Sequence, residues 1–286
     1  MNQNQFLSSI LFLDIETVPQ YPSFEDCPDE LKALWARKAE KLTPSRSSAG
    51  EQQPQPTATE TDALQGDSPD PLTLRQAQGD APLTLPDAST SSARRSPDPS
   101  SPSTLYPRAG IYAEFGKIIC ISVGYLVPDG TALHLRKKSF FGDDERVLLE
   151  EFAELLNKHF SKPDSRLCAH NGKEFDFPWL SRRMIINNIP LPAILDTAGR
   201  KPWEVNHLDT MEMWKFGDYK SYTPLNLLTY ILGIPSPKDD IDGSQVYSVY
   251  YHLRDLPRIV QYCEKDVEAL VKVFLRLKGV GVMIKC

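Results

Sequence analysis

Between Val18 and Ile111 the chain has no valine and no isoleucine, and between Trp35 and Tyr106 it has no aromatic residue. Most of that stretch, from Thr43 to Thr104, is built from Pro, Ser, Thr, Gln and Asp. Ordering its roughly 60 residues costs at least ~60 kcal/mol at about 1 kcal/mol each. Its five leucines return only about 10 kcal/mol even when fully buried. Residues 43–104 are therefore expected to be a disordered, low-complexity insertion in a loop of a single domain spanning 1–286. The segment carries PLTL twice, at Pro71 and Pro82, and SPDP twice, at Ser68 and Ser96. Two copies are too few for a solenoid.

Other absences narrow the class. No run approaches 18 apolar residues, which argues against a membrane span. The first residues lack a charged segment followed by an apolar core and a cleavage site, which argues against secretion. The five cysteines, at 27, 120, 168, 263 and 286, form no CxxC pair. That spacing excludes the usual zinc and thiol-redox motifs and suits reduced thiols in the cytoplasm. Nor is there an excess of basic charge, the formal net charge being -6. Four Arg against eight acids fall within 43–104, leaving 28 basic and 30 acidic residues elsewhere. The remainder is nearly neutral, so a nucleic-acid substrate is not excluded, but a broad basic surface for long duplexes is. Lys137, Lys138, Arg182, Arg183, Arg200 and Lys201 are candidate phosphate contacts, though each taken singly reads more readily as solvated surface charge.

What is present is a set of four carboxylates in three distant motifs: Asp14 and Glu16 in LFLDIET, Asp176 in AHNGKEFD, and Asp266 in YCEKD, where Tyr262 joins them. The first pair ends an apolar run, Ile10 to Leu13, that reads as a buried strand, and alternation points Asp14 and Glu16 to the same side. Asp176 follows the short apolar run Leu167 to Ala169 and precedes a helical pattern, a strand-to-helix junction of the kind that carries function. Tyr262 and Asp266 are four apart in a helical pattern and share a face. Carboxylates gathered away from water repel one another and need a compensating cation. The candidate ligands are all oxygens with no Cys or His among them, so Mg2+ or Mn2+ suits them better than zinc. Two such ions clamp the attacking and leaving oxygens of an in-line phosphoryl displacement.

On these motifs the chain resembles the DEDD-type 3′-5′ exonucleases, and is most similar to stand-alone predicted exonucleases related to the proofreading domain of family B DNA polymerases. The stretches that carry the resemblance are LFLDIETVPQYPSFEDCPDELKALW, AGIYAEFGKIICISVGY, CAHNGKEFDFPWL, LTYILGIPSPKDDIDG and VQYCEKDVEAL. One branch of that superfamily has His five positions before the last Asp and the other has Tyr four before it. Here 261 is Gln and 262 is Tyr, the tyrosine branch. The resemblance implies a ribonuclease H-like α/β fold, a mixed five-stranded sheet flanked by helices with Asp14 and Glu16 on the central strand. It also implies a catalytic set of Asp14, Glu16, Asp176, Tyr262 and Asp266, the four acids holding two divalent ions and Tyr262 orienting the attacking water. A phenol with an ordinary pKa near ~10 positions water better than it deprotonates it. Asn171, Phe175 and Thr17 are the implied substrate contacts. The expected activity is release of nucleoside monophosphates from single-stranded 3′ ends, DNA favoured. An exoribonuclease and a non-catalytic nucleic-acid-binding protein are the two rival readings.

The coarse pattern adds strands near 10–16, 117–126, 132–141, 166–169 and 207–210, and helices near 28–41, 144–160, from 178, 224–232 and 256–277. His170 and Asp209 read as structural or capping residues, and Lys238 and Asp242 as loop residues near the substrate or in a turn.

Overall fold

The computed structural model describes residues 3–42, 98–130, 132–218, 220–235, 241–281 and 284–285. The chain divides into two compact units, Met1–Pro22 with Pro107–Cys286, and Ser23–Tyr106.

In the larger unit a short helix, α1 (Gln3–Ser8), precedes β1 (Ile10–Pro19), the most deeply covered strand. Its neighbours are β2 (Gly116–Asp129) on one side and β4 (Arg166–Ala169) on the other. β3 (Ala132–Phe141) extends the sheet beyond β2, and β5 (Leu208–Asp209) extends it beyond β4. β1–β2 and β2–β3 pair antiparallel, whereas β1–β4 and β4–β5 pair parallel. The order β5-β4-β1-β2-β3, three antiparallel strands in sequence followed by two that add parallel beyond the first, is the ribonuclease H-like arrangement. A sixth strand, β6 (Ile284–Lys285), adds two residues parallel to β3 at the edge.

β1 is apolar on both sides because helices cover both sides, as expected for the centre of a mixed sheet. Leu11, Leu13 and Ile15 pack with α4 (Glu145–His159) and α5 (Asp176–Ile186) through Leu148, Phe152, Leu180 and Met184. Ile10 and Phe12 point the other way, into Val267, Leu270, Val271 and Phe274 of the long helix α8 (Leu256–Leu277). Between them lie the short helices α6 (Thr210–Lys215) and α7 (Leu225–Ile231). The start of α8 follows from local chemistry: the Asp255 side chain accepts from the Arg258 N–H at 3.3 Å, and Pro257 needs no donor there. Gly124 explains its close approach to the sheet. A Cβ there would lie 2.8 Å from a Val267 methyl and 3.0 Å from a Leu135 methyl.

The smaller unit is described over 23–42 and 98–106. α2 (Asp29–Leu42) buries Trp35 and Ala39. The Trp35 indole donates to the Pro102 carbonyl at 2.8 Å and meets the Tyr106 ring edge-on at 5.9 Å. Ser101 caps α3 (Pro102–Leu105) by accepting from the Thr104 N–H. The last part of the expected 43–104 insertion, residues 98–104, is thus turn and helix; residues 43–97 and Lys238 lie outside the described residues.

One buried ion pair ties the α4 end of the larger unit together. Arg183 of α5 is 3 % exposed and meets Glu145 of α4 twice, Nη2 to Oε2 at 2.6 Å and Nε to Oε1 at 2.9 Å. Its Nη1 donates to the Ala113 carbonyl at 2.8 Å, while Glu145 also accepts from the Ile118 N–H at 2.7 Å and from Asn187 at 3.0 Å. Arg183 therefore leaves the group of candidate phosphate contacts: its donors are spent inside. Arg183→Met strands the Glu145 carboxylate in the core and is expected to cost roughly 3–5 kcal/mol in urea unfolding. A change under 1 kcal/mol would show the pair to be dispensable.

His207, before β5, packs against Phe177 with ring centroids 4.7 Å apart and is 7 % exposed. The Ile194 backbone is near enough to oppose the effect of burial, yet neither ring nitrogen makes a well-formed hydrogen bond. Burial lowers its pKa from 6.5 to about 4. The folded value lies below the unfolded one, so the contribution is complete above pH 6.5 and is lost as pH falls toward 4, by roughly 3 kcal/mol at full extent. His207→Phe should flatten that part of the decline when urea midpoints are compared at neutral and acid pH. An unchanged pH dependence would refute the assignment.

Candidate active site

The carboxylate site starts on β1. All residues of that strand are buried except Asp14 and Thr17, which are partly exposed. Glu16 is 4 % exposed. Asp14 and Glu16 lie on the strand positions that alternate with Leu13 and Ile15, toward α8, and a register shift between Glu16 and Thr17 interrupts the pairing with β2 before it resumes to Pro19. The strand order puts both acids at the centre of the sheet.

α8 closes over them with a residue that no sequence motif announced. Cys263, fully buried, directs its S–H to Asp14, 3.4 Å from both the backbone carbonyl and Oδ2. One ligand-type atom each from Asp14, Glu16 and Cys263 lies within 4.8 Å of the others. Burial pushes the Cys263 thiol well above its ordinary pKa, helped by Cys120 and by the two carboxylates. It therefore serves as a neutral donor rather than a thiolate. The only sequence signal was its position, between Tyr262 and Asp266. That position has a consequence: with Cys263 held against Asp14, Tyr262 one residue before it and Asp266 three after it are carried on the adjoining helix surface. Both are partly exposed, and Tyr262 packs against the cluster of Val18, Ile119 and Ile259.

Among the described residues, Asp176 and Asp266 are not part of the group that Asp14, Glu16 and Cys263 form within 4.8 Å. Asp176 is the first residue of α5 and 4 % exposed. A carboxylate in the first turn of a helix is stabilised by the helix dipole. The helix begins two residues earlier than the sequence pattern suggested, and this is what makes Asp176 a helix-terminal residue. The loop before it is held from below. Asp209, at the end of β5, accepts from the Asn171 N–H at 2.9 Å and the Lys173 N–H at 3.1 Å while capping α6 through Met211 N–H at 2.9 Å. Asn171 sits at φ 63, a left-handed conformation Asn tolerates. Gly172 leaves no room for a side chain between Ala169 and Phe177. His170 spans the Thr210 hydroxyl and the Thr223 carbonyl, both at 2.8 Å. The carbonyl can only accept, so Nε2 bears the proton and Nδ1 accepts from Thr210. His170 and Asp209 are thus braces.

The three expected substrate contacts are placed differently from one another. Asn171 is in the loop beside Asp176. The Thr17 hydroxyl donates to the Gly110 carbonyl at 2.7 Å. Phe175 is 8 % exposed, in the core cluster and tilted against Trp179 at 6.1 Å, so its ring is committed to packing. Asp242 organises its own turn, accepting from the Ser244 N–H at 2.8 Å.

A second group that the motifs did not flag lies past Glu16. The Tyr250 hydroxyl donates to Asp143 at 2.6 Å and accepts from Lys117 at 2.9 Å. Burial lowers the Lys117 pKa, and burial together with Asp143 raises that of Tyr250. Tyr251 donates to the Pro19 carbonyl at 2.6 Å, pinning the end of β1.

The donor chemistry fits hard divalent cations: two converging carboxylate groups, one almost wholly buried, beside a thiol held neutral. Among the described residues no helix is long and apolar enough to cross a membrane. No curated protein matches the chain. Among solved structures, 33 chains match. One is the family B DNA polymerase from the hyperthermophilic archaeon Pyrobaculum calidifontis, at 18% identity and a TM-score of 0.43, over 57% of this chain and 22% of the polymerase. This chain thus spans about a fifth of the polymerase's length. Residues 111–285, more than half of the chain, match a family model; Asp176, Tyr262 and Asp266 lie inside that match and Asp14 and Glu16 precede it. The chain belongs to that family, described as "Predicted 3'-5' exonuclease related to the exonuclease domain of PolB".

Proposed function

We propose that the chain is a metal-dependent exonuclease that shortens single-stranded nucleic acid from its 3′ end, DNA in preference to RNA, releasing nucleoside monophosphates. The observation that carries this reading is the convergence of Asp14 and Glu16 on the central strand under the helix that bears Tyr262 and Asp266. The preference for DNA rests on the family's relation to a polymerase exonuclease domain.

In this reading Asp14, Glu16, Asp176 and Asp266 hold two divalent ions, Mg2+ or Mn2+. When bound, the ions supply Lewis-acid stabilisation of the charge that develops on the attacking and leaving oxygens. The protein's own residues do the rest. Asp14 presents its carboxylate in an orientation fixed by the Cys263 S–H. Glu16, buried, keeps water from competing at its oxygens. Tyr262 accepts or donates one hydrogen bond to the attacking water and sets its line of approach. Asn171 lies where a terminal nucleotide would pass the Asp176 loop. The four described cysteines are free and buried, which agrees with a cytoplasmic enzyme.

Asp14→Ala and Asp266→Ala should each abolish shortening of 5′-labelled single-stranded DNA while leaving the thermal midpoint close to wild type. Activity in either variant near the wild-type level would exclude the residue from the metal-holding set. Tyr262→Phe is expected to lose ~10² to 10⁴ in rate, the range for a group that positions a proton-transferring water. The same assay on RNA of identical sequence measures the DNA preference. If neither strand shortens with Mg2+ or Mn2+ while the protein remains folded, the chain is a binding protein rather than an enzyme.

A further inference from the structure

One cavity of the larger unit lies away from the carboxylates. It holds about 970 Å³ and opens on the other face of the sheet, where β2 and β3 run past the end of α4. Leu11, Val123, Leu155 and Phe160 are the apolar members of its lining. Around them stand Tyr125, Arg136, Lys138 and Lys162.

Register explains the grouping. Tyr125 pairs with Arg136 and Val123 with Lys138 across β2 and β3, so each strand pair sets a ring or an aliphatic group beside a cation on one face. Lys137, between the two cations and also in the lining, sends its ammonium to Glu268 at 3.4 Å. Arg136 and Lys162 are exposed and in no ion pair among the described residues, and Lys138 only rests over the Phe140 ring at 4.3 Å. Asp164 is the one acid in the lining. A chain with a net charge of -6 thus keeps a cluster of unpaired cations at an apolar cavity. Tyr125 is 40% exposed beside them.

We propose that this cavity is a second binding site, for a nucleoside monophosphate. Its volume lies in the range of small-molecule pockets. The apolar floor and the Tyr125 ring take the base, and the Arg136, Lys138 and Lys162 side chains take the phosphate, with Arg136 offering a planar pair of donors. Leu11 and Asp14 are on one strand but face opposite sides of the sheet, so a ligand here does not touch the carboxylates. The choice of a nucleotide rests on the proposed exonuclease reading, whose product it is; the excess of cations over an apolar floor does not.

The test is calorimetric titration of dAMP into the full chain in EDTA, which removes metal from the carboxylate site. Saturable one-to-one binding is expected, with a Kd of roughly 10–500 μM. It should be unchanged in Asp14→Ala, weakened at least tenfold in Arg136→Glu/Lys138→Glu, and weakened in Tyr125→Ala. These are exposed or half-exposed strand residues, and circular dichroism checks that each variant folds. Binding lost in Asp14→Ala but kept in Arg136→Glu/Lys138→Glu would place the nucleotide at the carboxylates and overturn the proposal. So would inorganic phosphate binding as tightly as dAMP, or no binding at all. Because the titration requires no hydrolysis, its failure leaves the exonuclease reading untouched, and a failed nuclease assay leaves the titration interpretable.

Discussion

Two carboxylates on the most deeply buried strand of the sheet set the terms for everything packed around them. A central strand is where a fold has least tolerance for charge, since desolvating even one ionised group costs several kcal/mol. β1 nonetheless carries Asp14 partly exposed and Glu16 almost wholly covered. The surroundings answer that cost locally. α8 brings a thiol donor to Asp14, and Gly124 lets the helix come close enough to do so. The regular pairing with β2 breaks just past Glu16. β1 therefore carries charge where a fold tolerates it least, and a neutral thiol donor stands beside Asp14.

The segment that carries Asp176 is held by groups elsewhere in the fold. Asp176 owes its position to α5, and α5 is fastened to α4 and to the start of β2 by the Arg183–Glu145 pair. The loop before it rests on Asp209, which satisfies backbone donors from two segments at once. His170 locks the same loop to Thr210 and Thr223 as a neutral ring, burial keeping its pKa low. Such braces are rigid because each polar atom is already satisfied. A loop held this way loses little entropy when a ligand docks against it.

The strand and helix positions of the motif residues were legible because they follow from local pattern. Alternation along β1 and four-residue spacing along α8 are enough to group Asp14 with Glu16 and Tyr262 with Asp266. The same locality made the strands and the long helix readable to within a few residues. What stayed hidden depends on partners far away in the chain. Arg183 reads as a surface cation until Glu145 and Ala113 are found around it. Cys263 looks like one scattered cysteine among five until Asp14, from the other end of the sequence, lies against it. Phe175 looks like a base-stacking ring beside a catalytic motif, yet its neighbours in space are Trp179 and the core. Composition marked the apolar-poor stretch after Val18, but not that its described residues, 23–42 and 98–106, fall in a separate unit in which Trp35 is buried.

β1 and β2 are immediate partners, Pro19 opposite Gly116, although the whole of Ser23–Tyr106 separates them. The entropy lost in closing a loop grows only with the logarithm of its length, about 0.6 kcal/mol for each doubling. Once such a junction exists, lengthening it barely alters equilibrium stability. Kinetics bear the burden instead, since a pairing this distant in sequence must be found by search before the central strand has neighbours. The junction is therefore a place where new sequence can be acquired over evolutionary time at almost no thermodynamic penalty, with the rate of folding, and not the native state, recording the change.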